Sequence, residues 1–316
     1  MSIPQLSIVL PVYNVDRWLP ECLNSIQAQT FTAWECILVD DGSRDFSGII
    51  CDSFARRDPR FRVIHQRNRG VSAARNAGIE ASSAPLLSFI DPDDFLNERY
   101  FAELISEMRR VDADVSVCSH YYVDEHGDQN PASDIIWGWD AAIKRIPNIA
   151  EMLNNEAVVR GVCDNVFSCV SWGKVFKRDL WGDALFPVGV DLGEDMMTVP
   201  GVIIKANRAV CAPEAIYYYR LRKKSLLHGT VTEQRYLRDL AASSAMLEQL
   251  CAYSPENRDR FQMLKLQYDL GCPLSYLRTN PEKARGKSWL RILAQGIEDS
   301  GSYDALGAML KRLVDL

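Results

Sequence analysis

The sequence predicts an α/β fold of the doubly wound type. Short apolar runs of strand length alternate with longer helical segments from Leu6 to Tyr122. The runs are almost uninterrupted in apolar residues, the pattern of strands buried on both faces. Three of them end in polar clusters, which a parallel sheet would gather at one edge, where open α/β folds bind their ligands.

Leu6–Pro11 is the first expected strand. A helix follows, with Pro20 in its first turn, where a missing N–H costs little, and Leu23 and Ile26 on one face. Trp34–Val39 reads as the second strand, Phe46–Arg57 as a helix and Phe61–His65 as the third strand. The next helix is expected over Ser72–Ala81, with Ser72 as its N-cap. Leu86–Ile90 is the fourth strand, Glu98–Arg110 a helix and Val115–Tyr122 the fifth strand. His120–Ile146 has the texture of a loop-rich insertion holding Trp137 and Trp139, aromatic candidates for sugar contact. From about Thr230 the chain reads as amphipathic helix, with basic residues at Lys283, Arg285, Lys287 and Arg291.

A chain of 316 residues buries a sizeable core and suggests roughly two domains. The net charge of −6 argues against a nucleic-acid partner, which calls for a basic field. No apolar run approaches the roughly 18 residues that span a bilayer, and no Lys or Arg precedes Arg17, so no secretory leader is expected. The nine cysteines are scattered, without a C-x-x-C pair, which fits buried thiols in a reducing compartment. The four histidines have no metal-ligand spacing.

The polar strand ends carry the chemistry. They are Pro11-Val12-Tyr13-Asn14, Asp40-Asp41-Gly42-Ser43 and Asp91-Pro92-Asp93-Asp94. Three carboxylates within four positions repel one another unless a cation joins them, and an all-oxygen set suits Mg²⁺ or Mn²⁺ on a substrate phosphate. Tyr13 is placed to stack on a base, and Asp40 or Asp41 to accept from a base N–H. Arg75, in the first turn of its expected helix, opposes the helix dipole and implies a specific anionic partner.

These segments, with Asn68-Arg69-Gly70-Val71-Ser72-Ala73-Ala74-Arg75-Asn76-Ala77-Gly78, resemble the family 2 glycosyltransferases in order and spacing. The resemblance continues through Val170-Ser171-Trp172-Gly173-Lys174-Val175-Phe176, similar to a W-x-K-L-[YF] segment. It extends to Gly193-Glu194-Asp195, similar to a glutamate–aspartate motif, and to Tyr217-Tyr218-Tyr219-Arg220-Leu221-Arg222-Lys223-Lys224-Ser225, similar to Y-x-R-x-x-S. It covers about residues 6–226.

The resemblance implies a GT-A fold, a Rossmann-like mixed sheet, over residues 1–226. Residues 1–110 would form the nucleotide-binding half and 111–226 the acceptor half, with a C-terminal helical region over 227–316. It implies inverting transfer from a nucleotide sugar, a UDP-sugar first, with Mn²⁺ or Mg²⁺. Asp195 takes the place of the general base. Pro11, Tyr13, Asn14, Asp40, Asp41, Arg75 and Asp91 fall in the donor site, with Asp93, Asp94, Arg220 and Arg222. Asp93 is the first candidate for the metal and Asp91 for the ribose or a second metal contact. Asp94 is left between the donor sugar and the turn itself. Trp172, Lys174 and Glu194 fall on the acceptor side. Arg220, Arg222, Lys223 and Lys224 form the densest basic cluster, a segment suited to closing over the leaving diphosphate. The expected acceptor is a saccharide or lipid-linked saccharide. The protein is expected in the cytoplasm, at the inner membrane face, with peripheral contact through the C-terminal region.

Two other classes remain. A haloacid-dehalogenase-type phosphatase also carries D-x-D after a buried strand, but wants Thr or Val two positions past the second Asp, on the first strand. Here Asp94-Phe95 follow, on the fourth strand. A non-catalytic nucleotide-binding module would have no need of Asp195.

Overall fold

The computed structural model describes residues 3–128, 151–190, 192–222 and 233–279, of which 233–236 and 270–279 as backbone alone. Trp137, Trp139, Lys223, Lys224 and the basic residues past Asn280 lie outside the described residues.

The described strands form a nine-stranded mixed sheet. They are β1 (Leu6–Val12), β2 (Trp34–Asp40), β3 (Phe61–His65), β4 (Leu86–Phe89), β5 (Phe95–Leu96), β6 (Val115–Val123), β7 (Glu151–Met152), β8 (Lys174–Lys177) and β9 (Ala209–Arg220). Their spatial order is β3-β2-β1-β4-β8-β6-β9-β5, with β7 beside β9. β3, β2, β1 and β4 run parallel. β8 is antiparallel to both β4 and β6, and β6 is parallel to β9. The sheet is therefore parallel from β3 to β4 and mixed beyond it.

The helices are α1 (Leu19–Gln27), α2 (Ser47–Arg57), α3 (Val71–Ala81), α4 (Tyr100–Val111), α5 (Asn155–Cys163), α6 (Val199–Ile203), α7 (Glu233–Tyr253) and α8 (Arg258–Thr279). The period of two along β1 decides which helix covers which face. Leu6, Ile8, Leu10 and Val12 join a core with α1, α2 and α4 through Leu23, Phe54 and Leu104. Val9, Leu87, Phe89 and Val115 face the other core, built by α3, α5, α6, α7 and α8 through Ile79, Val158, Val202, Met246 and Phe261. The C-terminal helices thus share a core with the sheet.

Three details differ from the sequence expectation. Ser72 does not cap α3: Gly70 takes the cap position at φ 87°, and Ser72 is buried inside the first turn. Arg75 consequently stands one full turn into the helix, so the dipole argument for it weakens. His120 to Tyr122, read both as the end of the fifth strand and as the start of the insertion, are strand, since β6 runs from Val115 to Val123. β5 escapes a periodicity reading because two residues cannot display a period of two.

Candidate active site

The ends of β1, β2 and β4 meet, as their parallel pairing requires. Val12 lies opposite Asp40, and the Asp41 N–H donates to the Val12 carbonyl at 2.9 Å. Asn14 and Ser43 lock the two strand ends together. The Asn14 N–H donates to Ser43 Oγ at 3.2 Å, and Asn14 Oδ1 accepts from the Arg44 N–H at 2.8 Å. Pro11 is buried in β1, whereas Tyr13 is 43% exposed, its ring open to a ligand.

Asp40 and Asp41 are more enclosed than a base-reading role suggests. Asp40 accepts from the Ser43 N–H at 3.0 Å and pairs with His65 Nδ1 at 2.9 Å. Asp41 accepts from Gln66, from the Arg69 N–H at 2.9 Å and from the Gly70 N–H at 2.8 Å. It therefore fixes the loop that launches α3. Gly42 makes the turn between them: its φ is +74°, and a Cβ there would lie 2.9 Å from the Asn68 backbone nitrogen.

The three carboxylates after β4 point three ways. Asp94, 1% exposed, accepts from the Tyr217 hydroxyl at 2.7 Å and from the Arg220 N–H at 2.8 Å. Burial, with Asp93 and Asp91 nearby, pushes its carboxyl well up. Asp94 thus ties the acidic turn to β9 instead of facing a donor sugar. Asp93 faces Arg222, whose Nε lies 2.5 Å from its Oδ2. Arg222 also rests its guanidinium 5.0 Å above the Trp18 ring. Asp91 faces inward, toward Arg75, at 3.2 Å.

Arg75 is the hub, 3% exposed. One terminal nitrogen, Nη2, donates to Asp91. The other, Nη1, donates to Glu194 Oε1 at 2.8 Å and Asp195 Oδ1 at 2.9 Å. One guanidinium thus joins the acidic turn after β4 to the Glu194-Asp195 turn before α6. Burial disfavours its charge, but Asp195, Asp91 and Glu194 together hold its pKa above the ordinary value. Three carboxylates against one cation leave the cluster anionic. Burial, then the Asp195 charge, lifts Glu194 to about 7, and burial lifts Asp91 to about 6.

Arg220 differs from its expected role. It is 2% exposed, and its guanidinium donates to the carbonyls of Asp93, Asp124 and Glu125 and to Glu21. It is a strut between β9, α1 and the acidic turn, with its donors already spent. Among the described residues, Arg222 is the cation of that segment whose contact, with Asp93, a ligand could displace.

Lys174 also departs from expectation. It is 2% exposed and buries its ammonium against backbone, donating to the Val170 carbonyl at 2.8 Å and the Trp172 carbonyl at 3.3 Å. Burial lowers its pKa to about 8. Trp172 is 9% exposed and stacked on Tyr217 and Tyr219, with ring centroids 4.6 and 5.3 Å apart. Its face is used by the core.

Sequence reasoning missed Ser171 and Tyr217 as contributors. Ser171 donates to Asp195 Oδ2 from its N–H at 3.1 Å and its hydroxyl at 3.3 Å. Tyr217 accepts from the Asp91 N–H at 3.1 Å while donating to Asp94. Both lie inside recognised segments, yet only the folded chain shows what they touch.

Among the described residues no group of three or more His, Cys, Asp or Glu side chains is gathered as a metal cage. A pair of carboxylates is what a hard cation needs when substrate phosphates and waters complete its shell. Asp91 and Asp93 are the pair available after β4, each turned here to its own arginine, Arg75 and Arg222. Both are held above the usual carboxylate range chiefly by burial, so added positive charge there is favourable.

A half-sheet of four parallel strands, an acidic turn after β4 and a Glu-Asp turn across from it define a GT-A glycosyltransferase fold. The backbone matches Staphylococcus aureus TarS residues 1–349, solved in complex with UDP-GlcNAc, with a TM-score of 0.61 at 18% identity. That match covers 95% of this chain and 93% of that one. Residues 7–182 match the family described as Glycosyl transferase family 2. Two relatives come from Streptococcus pneumoniae serotype 4. Glycosyltransferase GlyG is 33% identical across 74% of this chain and 76% of its own length. Glycosyltransferase GlyA is 32% identical across 70% of this chain, but the match spans only 31% of GlyA. The chain belongs to glycosyltransferase family 2, and the haloacid-dehalogenase alternative falls away with that assignment.

Proposed function

We propose that this chain transfers a sugar from a nucleoside diphosphate sugar, a UDP-sugar first among them, to a hydroxyl of a saccharide or lipid-linked saccharide. Inversion at the anomeric carbon is part of the reading. The observation that carries it is the contact of Arg75 with Asp91 on one side and Asp195 on the other. It joins a diphosphate end and a base into one constellation.

The reaction is a single displacement. The acceptor oxygen forms a bond to the anomeric carbon while the bond from that carbon to the diphosphate oxygen breaks. The acceptor proton passes to a carboxylate oxygen of Asp195. Arg75 keeps that carboxylate oriented and offsets its charge in the resting site. Asp91 and Asp93 would hold Mn²⁺ or Mg²⁺, which supplies charge compensation for the leaving diphosphate. Tyr13 offers an open ring to the base, and Arg222 adds a cation near the phosphates. Glu194 beside the base is suited to accept a hydrogen bond from the acceptor.

The donor complex of TarS supports the nucleotide-sugar reading, and the buried, charge-rich turn after β4 supports the metal. Among the described residues no helix is long and apolar enough to cross a membrane. Cytoplasmic placement with peripheral membrane contact, and a domain limit near residue 226, remain part of the proposal.

The test is a thermal-shift panel of UDP-, GDP-, dTDP- and CMP-sugars with and without Mn²⁺. A ligand at 100 times its Kd stabilises by about 2.7 kcal/mol. A Mn²⁺-dependent shift with one nucleotide class supports the reading; no shift with any of them contradicts it.

A further inference from the structure

The Ser171–Lys174 segment holds a buried ammonium that, among the described residues, meets no carboxylate. Lys174 Nζ donates to the carbonyls of Val170 and Trp172, the residues on either side of Ser171. It also lies 3.5 Å from Ser168 Oγ. Placing a lysine charge in the interior against neutral oxygens is unfavourable. A methionine or leucine would fill the same volume without that cost.

The orientation of the loop explains the expense. With the carbonyls of Val170 and Trp172 drawn onto the ammonium, the intervening Ser171 N–H and hydroxyl point at Asp195 Oδ2, at 3.1 and 3.3 Å. Ser171 is 0% exposed, so water cannot replace these donors. Oδ1 of the same carboxylate is held by Arg75 Nη1 at 2.9 Å. Asp195 is thus gripped on both oxygens, from two different elements: Oδ2 carries two donors, while Oδ1 carries one and keeps a further lone pair.

Gly173 completes the loop at φ +76°, with Cys118 Sγ 3.3 Å from where a Cβ would stand. Phe89 and Trp172 form a parallel β-bridge that anchors the loop to β4. The loop therefore sits on the same strand that delivers Asp91.

We propose that Ser171 and Lys174 form a positioning cradle for the base: Lys174 sets the peptides around Ser171, and Ser171 sets the carboxylate of Asp195. This rests on the reading of Asp195 as the base. It replaces an acceptor contact for Lys174 with an indirect role. The charged and titratable groups around Asp195 among the described residues are Arg75, Glu194, Asp91, Lys174 and Cys169.

The test uses the full chain with Ser171→Ala, Lys174→Met and the double variant. Donor affinity is read by calorimetry, and kcat and KM by product formation across pH. Ser171→Ala is expected to lower kcat about tenfold or more with donor Kd changed less than about twofold. Lys174→Met should lower kcat in the wild-type background and much less in the Ser171→Ala background, since linked residues are not additive. If Lys174→Met does not fold, the Ser171→Ala arm decides alone. An unchanged kcat in Ser171→Ala overturns the cradle, as does a donor Kd that weakens by the same factor as kcat. Asp195→Asn run alongside separates the failures. If it abolishes transfer while Ser171→Ala does nothing, the base stands and the cradle falls. If Asp195→Asn transfers normally, the base reading itself falls.

Discussion

Arg75 Nη1 lies 2.9 Å from Asp195 Oδ1, and the same nitrogen reaches Glu194 at 2.8 Å. A planar fork that serves carboxylates on two turns at once is beyond a lysine, which presents a point charge. Arg75→Lys should therefore lose at least one of the three carboxylate contacts. Transfer is expected to fall by about a hundredfold, the scale of a misplaced catalytic group. Arg75→Ala should in addition destabilise the fold by about 3–5 kcal/mol, because it strands buried charges. Turnover and thermal unfolding of the two variants check both statements.

Arg222 and Asp93 make a contact that a bound metal must compete with. Arg222→Gln should tighten Mn²⁺ binding in the absence of nucleotide while lowering turnover. Asp93→Ala should remove the Mn²⁺ dependence of UDP binding. Calorimetry of Mn²⁺ and UDP on both variants reads this directly, and equal Mn²⁺-dependent UDP affinity in Asp93→Ala would sink the metal assignment.

Tyr217 stands between Asp94 and the Asp91 backbone. Tyr217→Phe keeps the ring stack on Trp172 but leaves a buried carboxylate short of a donor. The expected cost is about 1–3 kcal/mol. Urea unfolding should show the loss with an unchanged slope.

His65 and Asp40 give a pH signature away from the catalytic groups. The hydrogen bond to Asp40 raises His65 above its usual value. Burial opposes charge on Asp40, but the Ser43 and His65 bonds outweigh it and hold its carboxyl low. The imidazole contribution is present below the unfolded His value and fades as pH rises through the raised folded one. The carboxylate contribution is present above the unfolded Asp value and fades as pH falls through the depressed one. The pair is thus at full strength between about pH 4 and 6.5. Its side chain being half exposed, His65→Ala should cost only about 0.2–1 kcal/mol, and more at pH 5.5 than at pH 8.5. Equal loss at both values contradicts the pairing.

The parallel half of the sheet was legible because its strands are apolar through and through and their ends carry polar residues. β8 was less so, since its Lys174-Val175-Phe176-Lys177 run has a charged residue at each end. Its place between β4 and β6 is a long-range fact that no local pattern encodes. In the site, Asp91 and Arg75 were read from the strand end and the expected helix start, and the resemblance added Glu194 and Asp195. It could not show which charged residues turn inward. Asp94, Lys174 and Arg220 look like ligand-binding groups by composition, yet each has its hydrogen bonds met by the protein. The same blindness hid Ser171, whose small side chain gives no signal until Asp195 lies beside it.

The central claim is that Asp195 takes the acceptor proton. Asp195→Asn keeps the size and the hydrogen-bonding oxygen but removes the basic charge. Product formation with the identified donor and acceptor, alongside UDP calorimetry, is the most direct measurement. Transfer should drop by about 10²–10⁴-fold, the range of a lost general base, while UDP affinity stays within about twofold. Transfer at the wild-type rate in Asp195→Asn would contradict the account.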